Sequence, residues 1–401
     1  MMIIALLLSS LLAVGMPSAK PERTPDMPPV LEVCGGVTTH VQGVALNPEK
    51  GELYFSFTTR FIRTDLHGRV LGSIDRIQGH LGAMTFNPED GCVYASLECK
   101  DDEIGRGVAK SLGAEVVSRS HFYIAIIDVA KVDRIGIDPE GDPVLRTVCL
   151  SEPALDYYAQ VPLQRELVLP AEGKASGHET GLLEHRYGCA GIDGVSFGPL
   201  PGRKRHVYDN LYVACGVYGD VTRSDNDHQI ILRYRTSALR RYARAISFGT
   251  LHESGPAKPS RKYFVRTGNT TYGVQNMAFD PSTRHLFMAV YRGKKTQFPN
   301  YSLFAIDLSK TAFKAPLAGV PYEKGKVSQL HLSGDGLLHE SSGIHGWNFR
   351  WGTTGMIPRG DGCWLFSEPY RDPDGMQCCR LHLLRWTGDP ADPFATVVDN
   401  E

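Results

Sequence analysis

Read as apolar and polar positions, the chain repeats one unit five times. The unit is an apolar run, a proline-containing turn and a second apolar run. The copies are VQGVALNPEKGELYFSF from Val41, LGAMTFNPEDGCVYASL from Leu81, IDGVSFGPLPG from Ile192 with NLYVACG from Asn210, VQNMAFDPSTRHLFMAV from Val274, and WGTTGMIPRGDGCWLFSE from Trp351. With Pro48, Pro88, Pro199, Pro281 and Pro358 as anchors, the residue two before is Leu46, Phe86, Phe197, Phe279 or Met356, always apolar. The residue three before is Ala45, Thr85, Ser196, Ala278 or Gly355, always small, as crowding of inner strands around an axis requires. Proline with Gly, Asp or Ser beside it suits a hairpin reversal.

Two more strand-like runs follow each hairpin, FIRTD and RVLGSI in the first copy, YSLFAID and KVSQLHL in the fourth. Four strands per repeat predict an all-β, closed β-propeller of five four-stranded blades. The wide gap between Pro88 and Pro199 places insertions at 101–119 and 152–186, in the second blade. Six blades is the alternative count, if the second insertion hides a degenerate unit. Closing the ring calls for Val30–Val37 to supply the outer strand of the last blade, or to pack beside Phe394–Val398, because closure removes exposed sheet edges.

The run from Met1 to Gly15 is apolar, too short to span a bilayer and followed by a Pro-rich stretch. It predicts a signal peptide over 1–19, a leader over 20–28 and the propeller over 29–401. The expected location is exported, periplasmic or extracellular, with no stable membrane insertion after cleavage. Lys and Arg number 43 against 44 Asp and Glu, a net charge of -1, so no global field favours nucleic acid. Nine Cys without paired CxxC spacing argue against zinc, and in an oxidising compartment some should pair.

The starts of inner strands and the ends of their partners gather at one end of the axis, the default ligand site. His40, Gln42, His80, Asp193, Gln275 and Arg350 fall at the starts, and Glu98, Arg292, Lys294, Lys295 and Glu368 at the partner ends. Counting through the second hairpin with Phe86 opposite Cys92 sets His80 opposite Glu98, an arrangement for general acid or base work or a structural rim contact. His80, Glu98 and Asp193 are therefore the catalytic candidates; His40, Gln42, Gln275, Arg292, Lys294, Arg350 and Glu368 are ligand-binding candidates. Arg292, Lys294 and Lys295 around Gly293 suggest an anionic group on the ligand. Asp220, Asp225, Asn226 and Asp227 offer oxygens suited to Ca²⁺, off the pattern of the twelve-residue calcium loop. Trp347, Trp351, Tyr272 and Tyr291 are aromatic candidates for stacking on sugars or for packing between blades, and Trp351 occupies the repeated apolar position.

The segment Thr271–Asp307 together with GWNFRWGTTGM from Gly346 resembles a group of uncharacterised bacterial propeller-like proteins. The resemblance implies a five-unit ring and no particular activity. Two functional classes stand: a hydrolase acting at the mouth on a carbohydrate or anionic small molecule, or a propeller that binds a ligand or protein without catalysis. HExxH and GxxxxGK[ST] do not occur in the sequence.

Overall fold

The computed structural model describes residues 27–141, 143–168 and 175–397. The predicted signal peptide over 1–19 and most of the leader over 20–28 lie outside the described residues.

Blade 1 is a four-stranded antiparallel meander of Gly43–Asn47, Glu52–Ser56, Phe61–Asp65 and Val70–Ile74. Blade 2 uses His80–Asn87, Cys92–Cys99, His121–Asp128 and Leu145–Cys149. Arg244–Ala245, from an excursion of blade 3, adds to its outer edge. Blade 3 is Cys189–Phe197, Asn210–Val217, His228–Arg235 and Arg261–Arg266. Blade 4 is Thr270–Asp280, His285–Arg292 and Leu303–Asp307. Met356–Pro358, Cys363–Arg371 and Gln377–Trp386 build blade 5, whose outer strand is the N-terminal Val30–Cys34. The chain is thus a five-bladed β-propeller.

The hairpin turns follow from their sequences. In Asn-Pro-Glu-Lys-Gly and Asn-Pro-Glu-Asp-Gly the Asn carbonyl oxygen of the side chain accepts from Lys50 N–H at 3.3 Å or Glu89 N–H at 2.9 Å. Gly51 and Gly91 then take the left-handed conformation that brings the chain back (φ 62° and 67°).

Five apolar clusters hold the ring, one in each seam between adjacent blades. Successive residues of one strand serve opposite seams: Leu53 and Phe55 pack toward blade 5, and Tyr54 between them packs toward blade 2. Because both faces of each blade are covered, the strands read as nearly continuous apolar runs rather than as alternation. Trp347 and Trp364, both essentially inaccessible, fill the seam between blades 4 and 5. Trp347 is therefore a packing residue, not a sugar platform.

Two details depart from the sequence reading. The run KVSQLHL is divided between two blades: Val327–Gln329 pairs parallel with blade 3 through Phe264, whereas Leu332 bridges Ile306 of blade 4. Blade 4 thus has no continuous fourth strand among the described residues. The insertion at 101–119 contains a helix, α1 (Glu103–Leu112), capped by Asp102, whose carboxylate accepts from Gly105 N–H at 3.0 Å.

Closure is both hydrogen-bonded and covalent. Val30–Cys34 runs antiparallel to the third strand of blade 5 from Val30 opposite His382 to Cys34 opposite Cys378, and those last two residues form a disulfide. Phe394–Thr396 pairs with the far end of the same strand through Leu384 and Trp386. At the axis Asn276 of blade 4 donates to the backbone carbonyls of Gln42 in blade 1 (2.9 Å) and Thr353 in blade 5 (2.8 Å). We predict that replacing Cys34 and Cys378 with Ala lowers unfolding stability by about 2–5 kcal/mol, because the bridge restrains a very long loop of the unfolded chain. Denaturant unfolding of parent and variant measures this, and identical midpoints would show that strand pairing alone closes the ring.

Candidate active site at the axial mouth

The end of the axis at which the inner strands begin gathers Glu98, Lys100, Asp193 and Gln275. In blade 2 Phe86 faces Val93 rather than Cys92, and a bulge between Leu81 and Met84 then shifts the register by one. The two displacements cancel, so His80 does stand opposite Glu98.

The carboxylate does not orient that imidazole. Glu98 Oε1 crosses the seam and accepts from Ile192 N–H of blade 3 at 2.8 Å, while Oε2 lies 4.0 Å from Lys100 Nζ. His80 Nδ1 is buried without a hydrogen-bond partner among the described residues. Burial, reinforced by the nearby Lys100 charge, pushes His80 down to about 4, so its ring is neutral at neutral pH. The expected Glu98–His80 dyad is corrected in this respect. Helix α1 closes over the pair, leaving a cavity of about 20 Å³ bordered by His80, Glu98, Lys100, Val108 and Ala109. That is room for roughly one water molecule.

Lys100, absent from the sequence reading, is the charge at the centre of this cluster. Its side chain is 4 % exposed, and Nζ donates to Asp102 Oδ2 at 2.7 Å and to the Ala190 carbonyl at 2.9 Å. Burial opposes its charge, but Glu98 and Asp102 outweigh burial and hold the ammonium above its ordinary range. Asp193, half-buried, accepts from Gln275 Nε2 at 3.2 Å. Burial first, then repulsion from Glu98, raises Asp193 well above the usual carboxyl value, and burial pushes Glu98 up to about 7. The site thus holds two carboxyls that retain protons toward neutral pH beside one fixed cation.

Two glycines make the arrangement possible. Gly191 has φ 124°, and a Cβ there would lie 1.9 Å from Glu98 Oε1, so any side chain would expel the carboxylate. A Cβ on Gly82 would meet Ser96 Oγ at 2.4 Å and approach Asp193 Oδ1 to 3.5 Å. On the rim Tyr272 and Tyr291 are 48 % and 41 % exposed, and the Tyr272 carbonyl accepts from Gln275 Nε2 at 3.2 Å. Tyr272 adopts a left-handed backbone (φ 61°), a strained conformation for an aromatic residue.

The other candidates disperse. His40 is exposed, and its backbone carbonyl accepts from Thr58 Oγ1 at 2.9 Å; Gln42 is half-buried and contributes its carbonyl to the Asn276 latch. The cationic run does not form an anion cradle. Arg292 Nε donates to the Asn300 carbonyl at 2.9 Å, and Lys294 is exposed. Lys295 is buried, bonded to Asp227, to the Arg223 carbonyl and to Asn226 Oδ1 (2.9 Å). These bonds also account for the acidic loop. Asp225 is paired with Arg223 at 2.8 Å and accepts from Tyr322 Oη at 2.8 Å, so the oxygens considered for Ca²⁺ serve protein donors. Arg350 and Glu368 belong to a stack of their own on blade 5. Arg350 lies 3.9 Å over the Trp351 ring, Trp351 stacks at 4.2 Å on His382, and His382 Nε2 is 2.7 Å from Glu368.

No family model matches the chain, and no curated protein matches it. Among solved structures, the β-propeller domain of Myceliophteria thermophila Cps50 (Swd1) is similar over 85% of this chain and 82% of that one, at 10% identity and a TM-score of 0.30. Kuenenia stuttgartiensis hydrazine synthase is similar over 92% of this chain and 100% of that one, at 12% identity and a TM-score of 0.32. Likenesses this distant carry no functional argument, and the ring is defined by its own sheets.

The raised carboxyls have a consequence for stability. Glu98 keeps a proton in the folded chain between its ordinary 4.5 and about 7, where the unfolded chain has released it. Stability from this group is therefore present below about pH 4.5 and lost as pH rises toward 7. We predict that the melting temperature of Glu98→Gln relative to the parent rises between pH 4.5 and pH 8. A difference that stays constant over that range would mean that Glu98 is ionised throughout.

Proposed function

We propose that this chain is an exported propeller that binds a hydroxyl-rich ligand of the carbohydrate class at the axial mouth, with Asp193 as its principal polar contact. The observation that carries this reading is the convergence of a half-buried Asp193, held by Gln275, with two exposed tyrosines on the same rim. A carboxyl and a carboxamide recognise hydroxyl groups, and tyrosine faces cover sugar rings. A neutral ligand fits better than an anionic one, because Lys100 is already paired with Asp102 at 2.7 Å and Arg292 is turned onto Asn300. Export is supported by the apolar segment at the N-terminus and by the Cys34–Cys378 disulfide, a bond favoured in oxidising compartments.

A second reading, hydrolysis, draws on the raised carboxyls. Asp193 in its acid form would donate its proton to the leaving oxygen of a glycosidic bond while water adds to the carbon, and Glu98 behind it would set that acidity. The alternative is a propeller that binds the same ligand without turnover.

Titration calorimetry of the purified chain against a panel of neutral oligosaccharides tests the reading. We expect Asp193→Asn to weaken binding about tenfold or more, with Lys294→Ala unchanged and both variants melting as the parent does. Equal affinity for Asp193→Asn and parent would move the ligand away from the mouth. Product analysis of the bound oligosaccharide separates the readings: hydrolysis predicts a loss of about a hundredfold or more in Asp193→Asn, and intact ligand leaves a binding protein.

A further inference from the structure

Blade 3 differs from its neighbours at the end of the ring opposite the mouth. Its first hairpin link runs over 198–209, whereas the other blades use 48–51, 88–91, 281–284 and 359–362. The added length carries Arg203, Lys204 and Arg205, all exposed. With the end of the third strand of the same blade, this loop encloses an open groove of about 1010 Å³, to which Arg233, Arg235 and Arg240 also contribute.

Those six cations face a single carboxylate in the lining, Asp209, which is paired with His206 at 3.3 Å. Arg240 reaches Asp90 at 3.5 Å, and Arg233 donates to Asn210 Oδ1 at 2.5 Å while its Nε is buried without a partner. Among the described residues the side chains of Arg203, Lys204, Arg205 and Arg235 make no hydrogen bond or ion pair. In a chain of net charge -1 this is a local concentration of one sign.

The loop is held in place. Gly202 N–H donates to the Leu308 carbonyl of blade 4 at 3.0 Å, and Arg284 donates to the Arg203 carbonyl at 3.1 Å. Gly202 has φ 80° and sits so close to Thr311 that a Cβ would lie 2.6 Å from its methyl group. The cations are therefore presented on a fixed backbone. The chemistry of the lining narrows the partner. It contains no Phe, Tyr or Trp, and its one ring, the His206 imidazole, lies against Asp209 at 3.3 Å, so nucleic-acid bases have little stacking platform. Its one large apolar residue is Leu200, too little to insert into a bilayer. Guanidinium groups bind sulfate and phosphate oxygens in paired hydrogen bonds.

We propose that this groove binds a multivalent oxyanion ligand, sulfate or phosphate esters carried along a flexible oligomer, independently of the axial mouth. The test is calorimetry on the full chain with two probes, a heparin-derived hexasaccharide and inorganic tripolyphosphate, at 50 and 200 mM salt. Both should bind, weakening about tenfold or more at the higher salt through counterion release. The tighter probe identifies the ester. Replacing Arg203, Lys204 and Arg205 together with Ser should reduce affinity about tenfold or more while leaving the melting temperature unchanged, since these side chains contact solvent. Asp193→Asn, at the other end of the axis, should leave this binding intact. Equal affinity of the triple variant and parent, or no binding of either probe at 50 mM salt, overturns the proposal. So does tighter binding of a single-stranded oligonucleotide of matched charge, or of vesicles containing anionic lipid, than of the hexasaccharide.

Discussion

Everything in this ring depends on one antiparallel pairing, that of Val30–Cys34 with Gln377–Trp386. Without it blade 5 lacks its outer strand, and Leu31 and Val33 leave the cluster they share with Leu53, Phe55, Leu365 and Leu381 in the seam to blade 1. A propeller has no central core that could compensate, because each blade buries its two faces only against its two neighbours. The disulfide at the end of the pairing fixes the outer strand within blade 5, and the Asn276 latch at the axis ties blade 4 to blades 1 and 5. Closure is thereby held at both radii.

The mouth is built on electrostatic compensation. The Glu98 carboxyl and the Lys100 ammonium are buried at the junction of blades 2 and 3, with Asp193 half-buried beside them, and a buried charge without a partner would cost several kcal/mol. Lys100 spans the junction by reaching Asp102 in its own blade and the Ala190 carbonyl in the next, and Glu98 spans it in the same direction through Ile192 N–H. The seam therefore carries polar bonds at its upper end and apolar packing below, with Ala83, Tyr94, Ile192 and Val195 in one cluster. Glu98 is both a tie between blades and a source of the field at Asp193. That double role explains why its carboxylate is turned away from His80.

The repeat was legible because its signal is local: proline turns, small residues near the axis and apolar runs all lie within single hairpins. The opposition of His80 and Glu98 was legible too, although the count that reached it began one residue out and was restored by a bulge. What could not be read is whatever crosses a seam. Ile192 N–H as the partner of Glu98, and the pairing of Lys295 with Asp227, join residues distant in sequence through geometry that no spacing encodes. Asn276 did leave a trace. Five before the anchoring proline the copies carry Gly43, Ala83, Gly194, Asn276 and Thr353, so an amide stands where three copies carry Gly or Ala. The basic loop of blade 3 was visible as Arg-Lys-Arg in a hairpin longer than the others, and global charge balance concealed it.

The position of the closing strand also dictates an order of events. Cys34 and Cys378 are separated by 344 residues, so the contact that completes the ring is among the most nonlocal the chain makes. Loop closure over such a span is slow relative to the formation of any single hairpin. Blades 1 to 4 draw their strands from contiguous or nearly contiguous sequence and can assemble as the chain emerges. Blade 5 must wait with its outer edge unpaired until the first strand returns to it. In that interval the edge of Gln377–Trp386 is a template for any extended segment, including the Val30–Cys34 strand of another copy. Exchange of the first strand between chains is thus the characteristic misassembly open to this architecture, and the disulfide that seals a correctly closed ring would equally seal an exchanged pair.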